Sequence, residues 1–97
     1  MADIGYTPRA LADLERLHDF LAASSPEAAS WTIDLIVDAV VILEHHPLIG
    51  RPTDSGLREL VISRGKSGYI ALYRYDEARD RILMLAVRHQ REAGYLG

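Results

Sequence analysis

The side chains of this chain best suited to phosphate, carboxylate or proton chemistry are Arg58, Arg74, Arg88, His89, Arg91 and Tyr95. A guanidinium is planar and grips a phosphate or carboxylate through two parallel hydrogen bonds, so arginine is the natural recognition residue for such groups. The imidazole of His89 can carry a proton near neutral pH, and Tyr95 offers a ring for stacking and a hydroxyl for hydrogen bonding. Arg88-His89-Gln90-Arg91 is a compact basic run, whereas Arg58 and Arg74 join it only if their strands lie alongside. The same residues are also consistent with scattered surface cations paired internally to Glu59, Asp76 or Glu92. Ser63-Arg64-Gly65-Lys66-Ser67-Gly68 contains Gly-Lys-Ser, but a phosphate-binding loop requires an earlier glycine where this chain has Leu60, and a helix where a strand follows. It reads as a hairpin loop carrying two cations. His45-His46 has no third ligand at a recognisable spacing, so no metal site and no cofactor is expected. No paired-carboxylate or Ser/His/Asp arrangement stands out.

The basic run is the exit of the element that organises the chain, Arg81 to Gln90. Ile82 to Val87 is apolar at every position, which leaves no wet face and calls for a strand covered on both sides, inside a sheet or beneath a partner. Upstream, Ile4-Gly5-Tyr6 reads as a short strand stopped by Thr7-Pro8, a helix start with Thr7 as cap. The first helix runs from Pro8 to about Ala23, with Leu11, Leu14, Leu17 and Leu21 as its apolar stripe and Arg9, Asp13, Arg16 and Asp19 on the other side. Ser24-Ser25-Pro26-Glu27 starts a second helix, either with Ser25 as cap or with Ser24 and Glu27 as a capping box. That helix reaches about His45 on a stripe of Ala29, Ile33, Ile36, Val40 and Leu43. Trp31, Leu35, Val37, Val41 and Ile42 make it apolar well beyond the stripe, so it touches the sheet and the first helix, or else a partner. Pro47 to Gly56 is a loop. Leu57 to Ile62, Tyr69 to Tyr75 and Arg81 to His89 are then successive strands of an antiparallel meander, with Asp76 to Asp80 as a polar turn. The pattern predicts a single α+β domain over residues 1–97, a two-layer fold whose helical hairpin covers one face of the sheet.

Composition narrows the function classes. The hydrophobic content is 48% with 26% charged residues, ordinary for a globular domain. A net charge of −3 argues against a general nucleic-acid binder, though a local basic patch remains compatible with it. There are no cysteines, which excludes disulfides, thiolate metal sites and a cysteine nucleophile, and suits a reducing cytoplasm. No signal peptide or membrane-spanning run is visible.

Taken in order, Tyr6-Thr7-Pro8-Arg9-Ala10 with Asp13-Leu14, Pro47-Leu48-Ile49-Gly50-Arg51-Pro52, Leu57-Arg58-Glu59-Leu60, Gly68-Tyr69 with Tyr73-Arg74, and Val87-Arg88-His89-Gln90-Arg91-Glu92 resemble the RelE/ParE superfamily of type II toxin–antitoxin toxins. The resemblance implies that family's strand, helical hairpin and antiparallel sheet. It also implies a small bacterial toxin held inactive by a cognate antitoxin, alone or in a toxin–antitoxin hetero-oligomer. RelE-like members cleave mRNA on the ribosome with sheet-face lysines and arginines and a C-terminal tyrosine. ParE-like members, the plasmid-stabilisation branch, bind DNA gyrase and poison it without being enzymes. This chain has Ile70 where RelE-like members tend to carry an arginine, and Arg58-Glu59-Leu60 in place of a lysine-rich strand. A scissile phosphate needs several convergent cations, so the thinned set favours the ParE-like branch. On that branch the resemblance makes Arg74, Arg88, His89, Arg91 and Tyr95 target-binding. On the nuclease alternative Arg58, Arg88, His89, Arg91 and Tyr95 would be catalytic, and a degenerate member would only bind antitoxin. Trp31, Leu35 and Ile42 are the expected antitoxin contacts.

Overall fold

Thr7 and Ser25 fix where the helices begin. The computed structural model describes residues 1–64 and 67–92, with backbone alone at Arg64 and Ser67. The Thr7 hydroxyl accepts a hydrogen bond from the Ala10 amide at 3.1 Å, and Pro8 opens helix α1, Pro8–Ala22. Ser25 caps helix α2, Pro26–Val41, by accepting from the Ala28 amide at 3.2 Å, which selects Ser25 over Ser24. The α-helix stops at Val41, short of His45, and a 3-10 turn over Ile42–Glu44 carries the chain on toward Pro47. Among the described residues no helix is long and apolar enough to cross a membrane.

The sheet has the order β1-β5-β4-β3-β2, with β1 at Asp3–Tyr6, β2 at Arg51–Pro52, β3 at Arg58–Arg64, β4 at Ser67–Asp76 and β5 at Arg81–His89. The expected meander is β3-β4-β5, and β5 lies inside the sheet as its apolar run requires. Two pairings go beyond the sequence reading. β1 runs parallel to β5, with Asp3 opposite Arg81, and the two-residue β2 pairs with β3 inside the segment read as a loop.

Between Leu72 and Tyr73 the β4–β5 register shifts, because Leu72 pairs with Ala86 while Tyr73 pairs with Met84. Leu85 is the extra residue of a β-bulge, and it reverses which side chains of β5 face the helices. Ile82 and Met84 face them before the bulge, and Val87 follows after it, all three at most 1% exposed. They meet Tyr69, Ala71 and Tyr73 of β4, Leu14 and Leu17 of α1, and Ile36 and Val40 of α2. Two expectations for α1 need correction. Leu11 is exposed, whereas Asp13, read as part of the wet face, is only 6% exposed.

Tyr73 also explains the loop after α2. Its hydroxyl donates to the Pro47 carbonyl at 2.8 Å and accepts from the Gly50 amide at 2.9 Å, while a Cβ on Gly50 would come within 2.6 Å of the Tyr73 ring. Only glycine lets the backbone sit that close. Tyr73→Phe leaves both backbone groups without that partner and is expected to lower stability by about 1–3 kcal/mol, read as a fall in the urea midpoint at constant slope. Burial raises the Tyr73 hydroxyl above its ordinary value of 10.0, so above that pH the unfolded chain releases a proton that the folded chain keeps. Stability therefore falls as pH rises past 10.0 toward the folded-state value, and this alkaline loss should shrink in Tyr73→Phe.

Candidate functional site at the C-terminal end of the last strand

Past the end of β1, no strand among the described residues lies beside the outer edge of β5, and other groups take its place. The Thr7 amide donates to the Met84 carbonyl at 3.0 Å, and the Thr7 hydroxyl to the Leu85 carbonyl at 3.2 Å. The Val87 amide then donates to Asp13 Oδ2 at 2.9 Å, and Arg16 Nη2 donates to the Val87 carbonyl at 3.5 Å. One further step along, the His89 amide donates to Glu92 Oε1 at 3.0 Å. Helix α1 thus satisfies backbone groups that a neighbouring strand would otherwise take, which is why a carboxylate and a guanidinium sit on its sheet-facing flank.

The turn beyond β5 folds back on the same network. Glu92 Oε1 also accepts from Arg16 Nη1 at 3.1 Å, and Arg16 lies 3.8 Å from Asp13 Oδ1. Arg88 donates to the carbonyls of His89, Gln90 and Glu92 at 3.3, 3.4 and 2.9 Å. The Arg91 amide donates to His89 Nδ1 at 3.0 Å, so that nitrogen presents its lone pair and the imidazole proton sits on Nε2. The His89 ring stands edge-on to Tyr69, with centroids 5.2 Å apart and planes at 87°. Between this turn and α1 lies a groove of about 600 Å³, with Leu17, Phe20, Leu21 and Tyr69 as its apolar lining and Arg16, His89, Arg91 and Glu92 as its polar one.

Of the residues singled out from the sequence, Arg88, His89 and Arg91 are brought together here. Arg74 is exposed on β4 in register with Leu83, about 15 Å along the sheet from Arg88 at roughly 3.3 Å per residue. Arg58 lies in register with Tyr73 and uses Nη1 to hold the Leu48 and Gly50 carbonyls at 3.0 and 2.8 Å. It braces the loop and is not gathered with Arg88. Tyr95 and Lys66 lie outside the described residues. The acidic partners named from the sequence do bind arginines, but different ones: Glu59 with Arg51, Asp76 with Arg79, and Glu92 with Arg16. The hydrogen bond from Arg79 holds the Asp76 carboxyl below its usual range. Trp31 is 44% exposed on α2, Ile42 is 48% exposed at the start of the 3-10 turn that follows it, and Leu35 is half-buried against the core. Asp13 and Arg16 escape a reading of types and spacing, because their work is to meet backbone groups left open by the fold. The i,i+3 spacing of Asp13 and Arg16 was their only local trace.

The chain belongs to the ParE toxin family of type II toxin-antitoxin systems (parDE), which it matches over residues 4–94. It is 35% identical to Toxin RelE3 of Caulobacter vibrioides over 92 residues, 95% of this chain and 98% of that protein. Its fold matches the chromosomal ParDE system of P. aeruginosa with a TM-score of 0.76 at 27% identity, covering 92% of this chain and 96% of the other. It matches the RelBE2 toxin–antitoxin complex of Mycobacterium tuberculosis with a TM-score of 0.61 at 25% identity, over 92% and 98% of the two chains. The protein is therefore a type II toxin of the ParE/RelE family.

Proposed function

We propose that this toxin is a ParE-like poison of DNA gyrase that acts in the cytoplasm by binding, without catalysis, and is neutralised by a cognate antitoxin. Arg88, His89 and Arg91, with Arg74 and Tyr95, form the target surface of this reading, and Trp31, Leu35 and Ile42 the antitoxin contacts. The observation that carries it is how the candidate nuclease groups are engaged. His89 Nδ1 accepts the Arg91 amide, and the Arg58 and Arg88 guanidiniums hold backbone carbonyls. A base needs a free lone pair, and a phosphoryl transition state needs several cations converging on one point; here the His89 Nδ1 lone pair is taken and Arg58 is held apart from Arg88 and Arg91, which a binding surface tolerates and a catalytic centre does not. The antitoxin is supported by the complexes in which the structural neighbours occur. The name of the Caulobacter relative favours a second reading, a RelE-like endonuclease acting on ribosome-bound mRNA.

Purified toxin assayed with gyrase and supercoiled DNA, beside ribosomes translating a defined mRNA, separates the two. As a poison, Arg88→Ala, Arg91→Ala and Tyr95→Ala should each weaken gyrase inhibition in a graded way, roughly 3- to 30-fold for partly exposed contacts. His89→Ala should behave like them. Codon-spaced mRNA cuts that disappear in His89→Ala, with gyrase untouched, would instead establish the nuclease.

A further inference from the structure

We infer that Arg16 of helix α1 is a positioning residue for the target surface, acting through Glu92 to hold the turn that presents His89 and Arg91. This rests on the reading of residues 88–91 as that surface. The turn leaves the sheet after the Gln90 amide donates to the Gly68 carbonyl at 2.9 Å. Past that point it is shaped by contacts to Glu92. The carboxylate accepts from the His89 amide and from Arg16, while the Glu92 carbonyl accepts from Arg88. Arg16 ties the assembly to a helix whose own place is set by Leu14 and Leu17 in the core.

The electrostatics point the same way. Arg16 stands between two carboxylates, Asp13 and Glu92, and the Arg16 and Glu92 side chains are 35% and 22% exposed, so their attraction is only partly screened. Glu92 Oε2 is buried with no hydrogen-bond partner among the described residues, which leaves Oε1 to carry the orientation of the turn. Without the guanidinium, the two carboxylates repel and Glu92 swings outward, releasing the His89 amide. The imidazole then loses its place against Tyr69, and Arg91 loses the anchor of its amide on His89 Nδ1. The sheet itself persists, since Asp13 still accepts from the Val87 amide.

The test uses the full chain with Arg16→Ala, Glu92→Ala and the conservative Arg16→Lys, followed by amide exchange and gyrase inhibition. The His89 and Arg91 amides should exchange at least about tenfold faster in the two alanine variants, with the Met84 and Ala71 amides unchanged. Gyrase inhibition should require about tenfold more toxin, and Arg16→Lys should recover part of both effects. Unchanged exchange at His89 and Arg91 would overturn the latch. Faster exchange with full inhibition, while Arg91→Ala remains impaired, would overturn the positioning role. If Arg88→Ala and Arg91→Ala both leave gyrase inhibition intact, the target reading fails and the positioning claim falls with it. The exchange data then report only whether the tether exists.

Discussion

Asp13→Ala should unfold this toxin more readily than any other change to a polar side chain described here, by about 3 kcal/mol. The Val87 amide loses its acceptor, and Arg16 loses one of its two carboxylates, in a site where Asp13 is 6% exposed. The damage is concentrated because β1 pairs with β5 only as far as Met84, so at Val87 the carboxylate stands where a strand partner would be. Asp13→Asn keeps an oxygen for the amide and should lose only about 1 kcal/mol. Urea unfolding followed by far-UV circular dichroism measures both. An Asp13→Ala variant within about 0.5 kcal/mol of the parent would show that solvent can replace the carboxylate.

Antitoxin capture should collapse when the Trp31 flank of α2 is altered. At roughly 100° per residue, Trp31 and Leu35 align on one flank of the helix, and Ile42 follows in the 3-10 turn. Val37 and Val41 align on the other, with Asp34 and Asp38 between them. Trp31, Ile42, Val37 and Val41 are 44, 48, 38 and 47% exposed, so the excess apolar character of α2 is not absorbed by the core. An aromatic anchor at the centre of an interface typically contributes 2 kcal/mol or more, so Trp31→Ala should weaken capture at least about 30-fold. Ile42→Asp should do as much by placing a charge in the contact. Val37→Asp is the control on the opposite flank, expected to change affinity by less than about threefold. Titration of each variant with the cognate antitoxin gives the ranking. Loss at Val37 with retention at Trp31 would move the docking site to the other flank.

What could be read from the sequence was what local chemistry dictates. Thr7-Pro8 and Ser25-Pro26 announce helix starts because the cap and the first turn lie within a few residues. The run from Ile82 to Val87 announces an interior strand because no other placement covers it. The parallel β1–β5 seam and the bulge leave no such mark, since they depend on which distant backbone groups remain open. Asp13 is the clearest case, because its neighbours in sequence make it look like part of a wet helix face. Its partner, the Val87 amide, becomes available only after the sheet has formed. The candidate site divides in the same way. Arg88, His89 and Arg91 are close in sequence and so stay close in space, whereas Arg58 and Arg74 depend on strand register, and register carries them elsewhere.

The seam between the first and last strands also sets an order of events during synthesis. The Thr7 hydroxyl meets the Leu85 carbonyl across 78 positions of chain, and Asp3 meets Arg81. At roughly 5–20 residues per second, the growing chain carries its first strand unpartnered for seconds, until β5 has left the ribosome. The helical hairpin can form early, because its contacts are local, but the sheet cannot close and α1 cannot cap the β5 edge. The basic turn at the end of β5 is consequently among the last parts to take shape. A nascent chain can therefore expose a formed helical hairpin before the basic turn after β5 exists.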